Sequence, residues 1–125
     1  MKNILSTYEA PQAIGAYSQA IETDSFVFLS GQLGLDPKTG KMVEGGVEEQ
    51  TDQAMKNILA ILKEAGLTVS DIVKTTIFMK DIADFTKIND VYAKYFVEGF
   101  PARSAIQIVA LPKGGLVEIE VIASK

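Results

Sequence analysis

Ile72-Val73-Lys74-Thr75-Thr76-Ile77-Phe78-Met79 is rich in β-branched and aromatic side chains and contains neither glycine nor proline. Such residues pack well on a pleated surface, so the run is expected to form one long strand. Its apolar members do not keep to one parity. Apolar residues stand on both of its faces. A strand with water on one side alternates more cleanly, so both faces of this one call for cover.

On either side of that strand the period becomes helical. Upstream, Val47 to Ala65 places Thr51, Ala54, Met55, Ile58, Leu59, Leu62 and Ala65 on one stripe, opposite Glu48, Gln50, Lys56 and Glu64. Gly66 stands where a left-handed residue would end that helix. Downstream, Asp81 or Asp84 can cap a second helix with Phe85, Ile88, Val91, Tyr92, Tyr95 and Phe96 on its apolar face; Gly99 and Pro101 stop it.

Shorter extended runs lie further out. One holds Tyr17, Ala20 and Ile21, and Thr23-Asp24-Ser25 turns it into Phe26-Val27-Phe28-Leu29. Ser30 to Leu35 continues extended but is broken by two glycines, and Asp36-Pro37-Lys38-Thr39-Gly40 reads as a tight turn. Arg103 to Leu111 and Leu116 to Ala123 are the last two strands, with Pro112-Lys113-Gly114-Gly115 expected to join them as a hairpin. The expected class is α+β: one domain over residues 1–125, with two helices on one face of a sheet. Two helices leave the other face bare, so its apolar residues imply a homo-oligomer whose sheets pack together.

Composition narrows the chemistry. The chain has no cysteine, histidine or tryptophan. That removes disulfides, thiol nucleophiles, thiolate metal sites and the commonest acid–base group and metal ligand, so no metal site is expected. Net charge is −4 and the eleven lysines are dispersed from Lys2 to Lys125, which supplies no basic face for nucleic acid. The longest unbroken apolar run, Ile58 to Leu62, is far short of a membrane span. Met1 to Pro11 lacks the apolar centre of a secretion signal, and a cytoplasmic protein is expected.

Arg103 is the one arginine among these lysines. A solvated surface charge would serve as well as lysine, whereas a planar fork that grips a carboxylate through two hydrogen bonds would not. A structural Arg–Glu pair accounts for it equally. Glu118 and Glu120 share one face of the last strand, either as site carboxylates or as solvated charges. With Leu111 and Leu116 closing the hairpin, Arg103 would lie opposite about Ser124 and several residues from Glu118. The two could then meet only through water or across a subunit contact. Ser30-Gly31 offers a hydroxyl and an unhindered amide, as an anion cradle or a simple turn. Asn89 sits at helical spacing from Phe85 and Tyr92, and Tyr17 reads as core packing.

Several of these stretches together resemble the reactive intermediate deaminase family, also called RidA or YjgF. They are Ala13-Ile14-Gly15-Ala16-Tyr17-Ser18-Gln19-Ala20, Phe28-Leu29-Ser30-Gly31-Gln32, Ile88-Asn89-Asp90-Val91-Tyr92 and Pro101-Ala102-Arg103-Ser104, followed by Leu111-Pro112 and Glu118-Ile119-Glu120. The resemblance spans the whole chain. It implies a chorismate-mutase-like fold assembled as a homotrimer with clefts between subunits. It also implies cofactor-free hydrolysis of short 2-enamine and 2-imine acids, such as 2-aminoacrylate and 2-iminobutanoate, to 2-oxo acids and ammonia. By the same resemblance Arg103 binds the substrate carboxylate and Glu118 holds the attacking water. Tyr17, Ser30, Gly31 and Asn89 line the pocket, and the backbone amide of Ala105 touches the ligand. Two positions depart from the family pattern: Ala105 stands where cysteine is frequent, and Ala110 where arginine is. A 2-oxo acid binder without turnover, or an RNA-directed role, would use the same scaffold.

Overall fold

The computed structural model describes residues 2–125. Its elements in chain order are β1 (Asn3–Leu5), β2 (Ala20–Glu22), β3 (Phe26–Leu33), α1 (Val47–Glu64), β4 (Ile72–Met79), α2 (Phe85–Ala93), β5 (Ala102–Gln107) and β6 (Val117–Ser124). They build one mixed sheet in the order β1-β2-β3-β6-β4-β5. β6 runs antiparallel to both neighbours, β3 and β4, and β4 pairs with β5 in parallel. Parallel neighbours need a crossover, and α2 supplies it.

The helix Val47–Glu64 forms as the stripe predicts and ends as Gly66 predicts. Gly66 takes φ +73°, its N–H donates to Lys63 O, and the N–H of Leu67 donates to Leu62 O, which satisfies the last carbonyls of the helix. Asp81 caps a short 3-10 turn ahead of α2, its Oδ1 accepting from the N–H of Ala83 at 2.9 Å. Both helices lie on one sheet face. There Val27, Leu29, Ile77, Met79, Val117, Ile119 and Val121 pack against Met55, Ile58, Ile61, Leu62, Ile88 and Tyr92. The opposite face carries Phe26, Phe28, Phe78, Ile106 and Ile122 and, among the described residues, no helix or strand covers it; Phe26, Phe28 and Ile106 are each more than 40% exposed. No described helix is long and apolar enough to cross a membrane.

Three expectations are corrected. The last two strands are not a hairpin: β4 lies between β5 and β6. Pro112–Gly114 forms a 3-10 turn with Lys113 at φ 56° and Gly114 at φ 67°, and this connection carries the chain past the end of β4. Two bonds hold the crossing: the N–H of Ile108 donates to Met79 O, and that of Lys80 to Leu116 O. Tyr17 is neither in a strand nor in the core, but in a loop and half exposed. Gln50, placed on the solvent side of α1, is buried, because its Oε1 accepts from the N–H of Leu116 at 2.8 Å.

Candidate active site

A bulge in β3 shapes the first half of the site. Leu29 pairs with Val121 and Gln32 with Ile119, so Ser30 and Gly31 together face the single residue Glu120. The extra residue bends the strand and re-aims its neighbours. Gly31 then lies against Glu118, so close that a Cβ there would stand 2.8 Å from the carboxyl carbon. The Ser30 hydroxyl donates to Ser18 O at 2.6 Å, and its N–H to Gln19 O at 2.9 Å. Gln19 is itself buried and ties down the loop that carries Tyr17. Its Nε2 donates to Thr7 O and Pro11 O, and its Oε1 accepts from the N–H of Thr7.

Tyr17, Ser30, Gly31 and Glu118 line one hollow of about 810 Å³, which Lys38 and Lys113 also border. Glu118 is half-buried there. Loss of water pushes its carboxyl above the usual 4.5, and the charge of Glu120 adds to the rise. Such a carboxylate holds a proton more readily than an exposed one and is, when ionised, the stronger base.

The second half lies elsewhere. Arg103 pairs in register with Thr75, on the helix-covered face of β4, whereas Glu118 pairs with Phe78 on the bare face. Within one chain the sheet itself separates them. The guanidinium is exposed and donates to Asn89 Oδ1 at 2.8 Å; among the described residues it has no carboxylate partner. It also lies over the rings of Phe85 and Tyr92, 5.3 Å from each centroid. Asn89, Tyr92, Phe100, Pro101 and Arg103 border a second hollow of about 350 Å³. Ala105 is two residues further along β5, half-buried on the same face, in the edge strand of the sheet.

The structure thus gathers the singled-out residues into two groups, Tyr17-Ser30-Gly31-Glu118 and Asn89-Arg103-Ala105, and keeps the groups apart. Phe85 and Tyr92 escaped notice as site residues because aromatics on a helix face read as core. The signal was present: Phe85, Asn89 and Tyr92 stand at i, i+4 and i+7, one helix face aimed at the lone arginine.

The family described as Endoribonuclease L-PSP matches residues 7–125. A 2-iminobutanoate/2-iminopropanoate deaminase of Bos taurus is 54% identical over 98% of this chain and 90% of its own. The chain belongs to the reactive intermediate deaminase family. Among solved Rid structures, a protein of unknown function of the conserved Rid family from Yersinia pestis superposes with a TM-score of 0.97 at 51% identity, each chain covered completely. E. coli TdcF with bound serine gives 0.94 at 42% identity, with 98% of each chain covered.

Proposed function

We propose that this Rid-family chain is a cytosolic, cofactor-independent deaminase that hydrolyses short 2-imine and 2-enamine acids to 2-oxo acids and ammonia. The observation that carries the reading is the pair of complementary half-sites: an arginine held ready without a carboxylate, and a desolvated carboxylate in a hollow. In the reading, three copies assemble through the bare sheet faces in the chorismate-mutase-like manner. The Arg103 edge of one copy then closes the Glu118 hollow of the next. The exposed Phe26, Phe28 and Ile106 support burial of that face against a second copy. The similarity to the 2-iminobutanoate/2-iminopropanoate deaminase of Bos taurus supports the substrate class.

The chemistry needs little power. An imine carbon is already electrophilic, so orientation supplies most of what is missing. Arg103 fixes the substrate carboxylate through charge-assisted hydrogen bonds worth about 1.5–3 kcal/mol each. Glu118 takes a proton from water as the water oxygen bonds to C2 and the C=N π pair moves to nitrogen, and the carboxyl passes that proton to the nitrogen. The carbinolamine then collapses: Glu118 relays the C2 hydroxyl proton to the amino nitrogen, the C–N bond breaks, ammonia leaves, and the C2 oxygen becomes the carbonyl of the 2-oxo acid. Tyr17, Ser30, Gly31, Asn89 and the Ala105 amide complete the walls. The acidic balance and scattered lysines give no support to an RNA substrate.

The test is decay of 2-iminobutanoate, generated by a threonine dehydratase, with and without the protein. Faster decay that Arg103→Lys largely abolishes supports the reading. Tight 2-oxobutanoate binding with no acceleration would instead show a binder.

A further inference from the structure

We propose that Phe85 and Tyr92 are positioning residues that set the orientation of the Arg103 guanidinium, so that carboxylate recognition depends on an aromatic cradle as well as on the arginine. The inference rests on the reading of Arg103 as the carboxylate receptor, but its geometry stands independently. Arg103 is exposed, and a free arginine at the surface samples many rotamers before a ligand arrives. Here three groups hold it: Asn89 Oδ1 accepts from one Nη at 2.8 Å, and the two rings each lie 5.3 Å below the guanidinium carbon. A planar cation over ring faces keeps its edge N–H groups outward, where a carboxylate docks.

The cradle is itself anchored. Tyr92 is buried, and its hydroxyl shares a 2.8 Å hydrogen bond with that of Thr75, the residue paired in register with Arg103. Thr75 therefore fixes both the ring and the strand position of the arginine it supports. Lysine, a compact strongly hydrated charge, would use neither ring as well.

The chain's single arginine makes the test direct, because its side-chain Nε–Hε pair gives one NMR signal with no assignment problem. The variants are Phe85→Leu, Phe85→Tyr and Thr75→Val, with Phe85→Met if the leucine variant does not fold. Phe85→Leu is expected to shift the Arg103 signal and to raise KM for the imine about two- to fivefold, the size of a cation–π contact at an exposed site. Its kcat should change less than KM, since Glu118 is untouched. Phe85→Tyr should restore both the signal and KM. Thr75→Val should broaden or shift the signal by freeing Tyr92. An unmoved Arg103 signal and an unchanged KM in Phe85→Leu would overturn the cradle, as would failure of Phe85→Tyr to rescue. If the parent protein neither binds 2-oxobutanoate nor speeds imine decay, the functional reading fails instead; the NMR signal still decides the cradle.

Discussion

Gly31 and Glu118 are in contact so close that no side chain fits between them: a Cβ on Gly31 would stand 2.8 Å from Cδ and 3.0 Å from Oε1 of Glu118. The bulge at Ser30-Gly31 and the Glu118 carboxylate packed against it are therefore one unit. Gly31→Ala is expected to displace the Glu118 side chain and lower kcat at least about tenfold, the cost of misplacing a reacting group. The circular-dichroism spectrum should stay native. Adding Gly31→Ala to Glu118→Gln should cost little further activity, because coupled residues are not additive. Additive losses would show that Gly31 matters for another reason.

The raised carboxyl of Glu118 has consequences of definite sign. Desolvation, then the Glu120 charge, lifts its folded value above 4.5. A group shifted this way favours the fold while protonated. That contribution is complete below the unfolded value and is lost as pH rises through the folded one. Glu118→Gln should accordingly melt at a higher temperature than the parent at neutral pH, and the gap should close in acid. With Glu118 as the proposed base, activity should move oppositely: the rate falls as pH drops through the raised value. Glu120→Gln should move that fall to lower pH.

Asn57 offers a test of the scaffold alone. It is buried on α1, and its Nδ2 donates to Leu33 O at 3.1 Å and Leu35 O at 2.9 Å, stitching the helix to the end of the bulged strand. Asn57→Leu keeps the bulk but leaves those carbonyls without this donor. Urea unfolding should show a loss of about 1–3 kcal/mol. A neutral result would mean that the carbonyls find other partners.

The bare sheet face can be challenged at Phe28, 43% exposed and in register with Ile122. Phe28→Asp puts a charge where the proposed assembly buries a ring. Sedimentation should report a single folded chain in place of the oligomer, and imine decay should return to its uncatalysed rate. An oligomer that persists would place the interface elsewhere.

Much of this arrangement could be read from residues alone where one physical signal dominates. The strand Ile72–Met79, the helix Val47–Glu64 and its glycine stop follow from periodicity and cap chemistry. Strand order did not follow. Alternation states which face of β6 is buried, not which strand lies beside it, and Pro112-Lys113-Gly114-Gly115 has the composition of a hairpin turn while serving as a crossing. Gln50 and Asn57 were illegible because a polar side chain on a helix reads as solvated until the backbone groups it reaches are known. In the candidate site, Arg103 and Glu118 stand out by residue type and by resemblance. Their separation was correctly expected but for the wrong reason. It comes from opposite sheet faces, which parity in an assumed hairpin could not reveal.

Placing Arg103 and Glu118 on opposite sides of the sheet makes damage shareable. If every working centre borrows one half from a neighbour, a chain lacking the arginine still lends a sound carboxylate, and a chain lacking the carboxylate still lends a sound arginine. Coexpressed Arg103→Ala and Glu118→Gln chains, each dead alone, should then regain roughly a quarter of the parent's centres by random mixing in closed rings. Such mutual repair has no counterpart in an enzyme that keeps both groups in one copy.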